Sequence, residues 1–147
     1  MWRCPKCRHR FVTENLWHSC VRIPLRTHFR GRAAHLYPTF RAWADLARAC
    51  GPVTIYAQKS RIVIQARVRF AGAVVRVGHL DGLWLRRRVN HPRLFRTESF
   101  GALGYGVHFR LVAPADIDPA LRRLMQEAYR LARSGPGASP RGRRKAD

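Results

Sequence analysis

The chain has 147 residues, 46% of them hydrophobic, which is enough for one domain with a buried core and a small appendage. Its formal net charge is +21, from 29 basic and 8 acidic residues, which favours polyanionic partners. No apolar run is long enough for a membrane span and no secretory leader is recognisable, so we predict no membrane association and a cytoplasmic location.

The first 22 residues predict a zinc-binding module. Cys4 and Cys7 form a C-x-x-C pair, and His18 and Cys20 form a second pair after a ten-residue gap. Two close pairs of soft or borderline ligands joined by a short loop are typical of a structural zinc site. His9 is a poorer fourth ligand because it lies so close to Cys7. The alternatives are free cysteines or one disulfide.

Residues 23–35 predict a basic linker that packs only in part, and residues 36–133 predict an α+β domain. The first helix of this domain is expected from about Pro38, which suits a first turn, to Cys50, before Gly51-Pro52. Its apolar stripe is Phe40, Trp43, Ala44 and Ala47.

Alternating apolar and polar residues predict about five antiparallel strands after this helix. The alternation is clearest at 61–70, which we expect to be one strand. A hairpin turn is expected at 79–82, and irregular structure near 94–100. The predicted strands are 53–58, 61–70, 73–78, 83–88 and 105–112.

A second helix is predicted after the strands, with Asp118 as its N-cap and Pro119 at its first position. Leu121, Leu124, Met125 and Ala128 form its apolar stripe. The last segment, 134–147, is rich in Gly, Pro and Ser and carries four basic residues. It predicts a disordered basic tail.

The two helices are expected to cover one face of the sheet and to leave the other face open. The period-2 pattern assigns arginines and aromatic residues to this open face. Guanidinium groups on phosphates and aromatic rings under bases are typical of single-stranded nucleic-acid binding. The predicted nucleic-acid-binding residues are Tyr56, Arg61, Arg67, Arg69, Trp84, Arg86, Arg88 and Arg110.

Other interpretations of this face stay open. An antiparallel sheet normally has one solvated face, and a β-bulge would move residues between faces. The charge also suits an interaction module for an acidic protein or an anionic ligand. A metal-independent phosphodiesterase using His79, His91, His108 and Lys59 is less favoured. No carboxylate cluster or nucleophile motif is present, so no catalytic residues are predicted.

A series of short motifs occurs in order along the chain. They are W-x-C-P-K-C with W-H-S-C, His28-Phe29-x-Gly31, Gly51-Pro52-Val53, Lys59-Ser60-Arg61-Ile62, His91-Pro92-Arg93, His108-Phe109-Arg110-Leu111 and Asp116-Ile117-Asp118. With these motifs the chain resembles, over most of residues 2–131, a bacterial and archaeal family catalogued as a domain of unknown function, number 5655. The resemblance implies a helix–sheet–helix domain with an optional N-terminal zinc element and names no catalytic residue. Arg8 stands where the zinc element usually has Gly, and the stretch 78–81 looks variable.

Overall fold

The computed structural model describes residues 2–8, 10, 11, 14, 24–75 and 82–134. Its helices are α1 (Leu36–Cys50) and α2 (Pro119–Ser134). Short 3₁₀ segments cover Leu25–Phe29, Gly101–Leu103 and Pro114–Asp116. The strands, in chain order, are β1 (Trp2–Arg3), β2 (Arg10–Phe11), β3 (Thr54–Ala57), β4 (Ile62–Gln65), β5 (Arg69–Ala73), β6 (Leu83–Leu85), β7 (Leu94–Ser99) and β8 (Tyr105–Phe109).

Six of these strands form one antiparallel sheet in the order β3-β4-β5-β6-β8-β7, and β1 pairs separately with β2. Two helices with a six-stranded antiparallel sheet make an α+β fold, as the sequence predicts, although with six strands rather than about five. Both helices lie on one face of the sheet, because their apolar stripes share a single core with one set of strand residues. The largest fully buried side chains include Trp43, Phe70, Phe109, Leu36, Ile62, Ile64, Leu85, Leu121 and Met125.

The first helix begins at Leu36, so that Pro38 lies in its first turn, where a missing N–H costs nothing. Its predicted stripe is buried, and Trp43 also donates its indole N–H to the carbonyl oxygen of Gly72 at 3.0 Å. That bond fixes α1 to β5. The helix ends at Cys50, before Gly51 with φ of 149°.

The second helix has the predicted start. Asp118 precedes Pro119, and its carboxylate accepts the backbone N–H of Leu121 at 2.8 Å. The other carboxylate oxygen lies 2.8 Å from the Nε2 atom of His91, whose side chain is 3% exposed. The cap therefore also ties the β6–β7 connection to the helix.

The predicted strand at 61–70 is wrong in one respect: it is a hairpin of β4 and β5. The chain turns through Ala66–Val68, and the backbone N–H of Ala66 donates to the carbonyl oxygen of Val68 at 3.0 Å. Gln65 pairs with Arg69, and the register then shifts by one residue at Phe70. This bulge keeps Phe70 in the core.

The predicted irregular segment near 94–100 is also wrong, because Leu94–Ser99 is the edge strand β7. A register shift between Leu94 and Arg96 leaves Phe95 as an extra residue and breaks the alternation that marks a strand. Strands β6 and β8 end at Leu85 and Phe109, before their predicted limits. The predicted hairpin at 79–82 lies, apart from Gly82, outside the described residues, as does 76–78 of the predicted strand 73–78.

The predicted linker contains the 3₁₀ segment Leu25–Phe29. Phe29 packs its ring against Tyr37 and Phe40 at centroid distances of 5.1 and 5.4 Å. The Nε2 atom of His28 lies 2.7 Å from the carbonyl oxygen of Gln58. In the described part of the chain, neither helix has the length and apolar content needed to span a bilayer.

Candidate functional site

The face of the main sheet that the helices leave uncovered is defined by strand register. Cross-strand partners share a face, so the pair Tyr56–Val63 continues to Gly72, and Gln65 lies beside Arg69. Further along the sheet, Trp84 pairs with Gly106, and Gly106 pairs with Glu98. We call this surface the open face. Its members in the described strands are Thr54, Tyr56, Val63, Gln65, Arg69, Gly72, Trp84, Arg96, Glu98, Gly106 and His108.

The open face contains a pocket of about 450 Å³, a volume within the range of small-ligand sites. Gly72 and Gly106 contribute no side chains to its floor, which leaves room above the sheet. Its walls are chemically different from each other. Arg61 and Arg69 line one side, whereas Glu98, His108 and Phe100 line the other.

The cationic wall lies at the β4–β5 hairpin. Arg61, directly before β4, donates from Nε to the side-chain oxygen of Gln58 at 3.2 Å. Arg69 neighbours the buried ring of Tyr56. Burial raises the pKa of that phenol, and the positive charge and hydrogen bond of Arg69 oppose the shift. Gln58 and Tyr56 are thus neutral neighbours of these two guanidinium groups at the edge of the pocket.

The opposite wall carries a carboxylate with two nitrogen partners. The Oε1 atom of Glu98 lies 2.8 Å from Nε2 of His108 and 3.1 Å from a guanidinium nitrogen of Arg96. The His108 side chain is 13% exposed and that of Glu98 is 45% exposed. Among the described residues, the second oxygen of Glu98 has no hydrogen-bond partner. The wall thus contains one carboxylate oxygen that can accept a further hydrogen bond.

Two aromatic residues adjoin this wall. Trp84 is buried, and Gly104 packs so close that a Cβ there would lie 3.1 Å from the indole Cζ2 atom. Its indole N–H is buried and, within the described structure, has no partner. Phe100 is 41% exposed and lies next to Gly106. Phe100 therefore has ring surface available to a ligand, whereas Trp84 has little.

The predicted stacking residue Tyr56 is also buried. Its hydroxyl lies 3.4 Å from the side-chain oxygen of Gln65, and the side-chain amide of Gln65 donates to the carbonyl oxygen of Arg10 at 2.6 Å. The N-terminal β1–β2 hairpin thus docks on the open face at β4. This contact and the burial of Tyr56 leave little ring surface for a base there.

The remaining predicted arginines lie outside the strands. Arg67 is in the turn between β4 and β5, with one guanidinium nitrogen buried and unpartnered in the described structure. Arg86 and Arg88 follow the end of β6 and are exposed, 5.8 and 4.9 Å from the rings of Trp84 and Tyr105. Arg110 follows β8 and lies 5.4 Å from the ring of Phe95. Of the predicted nucleic-acid-binding residues, Arg61, Arg69 and Trp84 line one pocket. Arg67, Arg86, Arg88 and Arg110 are not among the residues that line it.

The N-terminal hairpin brings together the first two predicted metal ligands. Cys4 and Cys7 are 4% and 3% exposed and belong to one small cluster with Trp2. The backbone N–H of Arg8 donates to the carbonyl oxygen of Cys4 at 2.8 Å, and Arg8 has a φ of 70°. This is the left-handed conformation that favours glycine, which explains why Gly is usual there. His18 and Cys20 lie outside the described residues, within which no group of three metal ligands occurs.

The two described histidines considered for acid–base chemistry, His91 and His108, are not brought together. His91 packs edge-on against Phe109, in the core, and is held by Asp118. His108 lies on the opposite, open face. Lys59 is exposed in the β3–β4 turn, and His79 lies outside the described residues.

Sequence patterns missed several residues of the pocket, among them Glu98, Phe100 and Gly106. Glu98 and Phe100 lie in or beside β7, which the bulge at Phe95 conceals. Gly106 shows its role only through its pairing with Trp84 and Glu98. The one available signal is the i, i+2 spacing of Arg96 and Glu98, which places both side chains on the same face of a strand.

The fold and pocket define an α+β domain with a ligand-sized cleft on the helix-free face of its sheet. A family model described as "Domain of unknown function (DUF5655)" matches residues 26–132. The chain belongs to this family. No curated protein and no solved structure matches it significantly.

Proposed function

We propose that the protein binds single-stranded nucleic acid on the open face, with Arg61 and Arg69 on phosphates. The observation that carries the proposal is the placement of these two guanidinium groups on the wall of a pocket with aromatic residues, on a chain of net charge +21. Arg69 forms no ion pair with any described carboxylate. Its charge is therefore available to an anionic ligand.

We further propose that Cys4, Cys7, His18 and Cys20 hold one structural zinc ion. The buried thiols of Cys4 and Cys7 suit this role, because thiolates at the end of a short hairpin can converge on one metal. With four protein ligands the ion has no open position for substrate. Its function is to hold the hairpin that contacts Gln65 through Arg10.

The test is fluorescence anisotropy with a labelled single-stranded oligonucleotide at several salt concentrations. The double variant Arg61→Gln/Arg69→Gln should bind more weakly and with a less steep salt dependence. The slope of log K against log [salt] should change by about 0.7 for each phosphate that is no longer neutralised. The matched control is Arg122→Gln/Arg123→Gln, which removes the same charge from exposed positions on α2.

An equal decrease of affinity in the two double variants would mean diffuse attraction to a basic surface and would contradict the proposal. Purification without nuclease adds an independent measurement, since a nucleic-acid binder should co-elute with nucleic acid. Co-elution of an acidic protein after nuclease treatment would instead favour an interaction module.

A further inference from the structure

We infer that the pocket on the open face receives one unstacked nucleobase that carries an amino group. This inference rests on the proposed function, because it takes the ligand to be part of a single strand. It goes further in assigning a base-reading role to the Glu98 wall and in predicting a preference among bases.

The chemistry of the two walls constrains the ligand. Arg61 and Arg69 favour a negative group at one side, whereas the Glu98 carboxylate at the other side favours a hydrogen-bond donor. Strand β5 and strand β7 are three strand spacings apart, or about 14 Å. A suitable ligand therefore combines an anionic end, a flat middle and an N–H donor end. A nucleotide within a strand has this arrangement.

The preference for a ligand with an N–H donor follows from the hydrogen bonds that the Glu98 carboxylate already makes. Oε1 of Glu98 already faces His108 at 2.8 Å and Arg96 at 3.1 Å, so its second oxygen is the acceptor left for a ligand. Carboxylates read bases by accepting from an exocyclic amino group, as with cytosine N4. Thymine presents the carbonyl oxygen O4 in place of this amino group, and the carboxylate would repel it. We therefore expect cytosine to be preferred over thymine.

Phe100 and Gly106 form the place for the ring. Phe100 is 41% exposed and lines the pocket, and a Cβ at Gly106 would lie 3.2 Å from its Cε2 atom and 3.8 Å from Nε2 of His108. A larger side chain at Gly106 would thus occupy the space between Phe100 and His108. The substitution Gly106→Val fills this space without changing any charge.

The experiment compares three labelled 12-mers of equal charge: dC12, dT12 and a fully abasic strand. Wild-type protein should bind dC12 more tightly than either of the others, by about 5- to 150-fold against the abasic strand. In Gly106→Val the three affinities should become equal while the salt dependence stays unchanged. In Glu98→Ala the preference for dC12 over dT12 should disappear.

The control for pocket filling is Thr97→Val, which changes the neighbouring strand on the helix-covered face, where Thr97 pairs with Val107. Circular dichroism checks folding. Phe100→Ala, at an exposed position, replaces Gly106→Val if that variant does not fold. Trp84→Ala is unsuitable because a ring that is 6% exposed belongs to the core.

Equal wild-type affinity for dC12 and the abasic strand would overturn the inference and leave the proposed function intact. Weak, salt-insensitive binding of all three strands would overturn the proposed function as well. In a separate experiment, unlabelled dCMP competes with labelled dC12 for the protein. If dCMP bound as tightly as dC12, the pocket would belong to a free nucleotide, which contradicts a strand-binding role.

Discussion

The capping carboxylate of Asp118 offers a stringent test of the fold, because one side chain satisfies two groups. Its Oδ1 atom accepts the Leu121 N–H at 2.8 Å, and its Oδ2 atom lies 2.8 Å from Nε2 of His91. The Nδ1 atom of His91 accepts the backbone N–H of Arg93 at 3.0 Å, so in the neutral ring Nε2 carries the proton and donates to Asp118. Replacing Asp118 therefore removes a helix cap and the acceptor of a buried donor.

The two effects have separate magnitudes. Removing an N-cap costs about 0.5–2 kcal/mol, and leaving a buried donor unsatisfied costs about 1–3 kcal/mol. Asp118→Ala should thus lower the free energy of unfolding by about 1.5–5 kcal/mol. Asp118→Ser retains a capping oxygen and should lose only the part that belongs to His91. Asp45→Ala is the control, because it removes only an exposed ion pair with Arg48 and should cost under about 1 kcal/mol.

Urea denaturation followed by circular dichroism measures these differences at neutral pH, and the same series at acid pH tests their electrostatic part. The Leu121 N–H, and after it the His91 ring, hold the pKa of Asp118 below its usual value. The stabilisation is therefore complete above the unfolded-state pKa and is lost as the pH falls through the lower folded-state value. The gap between wild type and Asp118→Ser should narrow over this acid range. An Asp118→Ala variant as stable as Asp45→Ala would refute the reasoning.

Three further predictions concern the zinc ion, the C-terminal tail and the two glycines of the pocket floor. Elemental analysis of reductively purified protein should find one zinc ion per chain, and a Cys4→Ser/Cys20→Ser variant should contain none. Addition of a chelator should leave the circular dichroism of the α+β domain largely unchanged. A chain truncated after Ser134 should stay folded and bind oligonucleotide only modestly more weakly, which aggregation on gel filtration would contradict. Gly72→Ala should destabilise the sheet by about 1–3 kcal/mol in urea denaturation, because its Cβ would overlap a carbonyl oxygen of β4, whereas Gly106→Ala meets only a movable ring and should fold normally.

The sequence predicted the helices well because their signals are local. Apolar spacing marks α1, and the Asp118-Pro119 pair marks the start of α2. The strand errors also have local causes. The turn at 66–68 contains no Gly, Pro, Asn or Asp, so nothing in the sequence separates β4 from β5. The extra residue Phe95 hides β7 in the same way.

The docking of the N-terminal hairpin on the sheet could not be predicted from the sequence, for a different reason. It involves a contact between sequence-distant groups, the amide of Gln65 and the carbonyl oxygen of Arg10. No periodicity records such a contact. The burial of Tyr56 also depends on long-range packing. The alternation of the sequence predicted the correct face of the sheet for its ring, but not that the ring is buried.

The hairpin that replaces the predicted long strand has a consequence for the site. In one continuous strand, Arg61 and Arg69 would share a face but lie eight residues, or about 26 Å, apart. Because the chain turns at Ala66–Val68 and Gln65 pairs with Arg69, the separation along the strands falls to four residues, or about 13 Å. Arg69 still lies on the open face, as predicted, because the turn brings it back onto the side of Arg61. Only the hairpin lets both guanidinium groups line one pocket, which turns a row of surface arginines into one wall of a defined site.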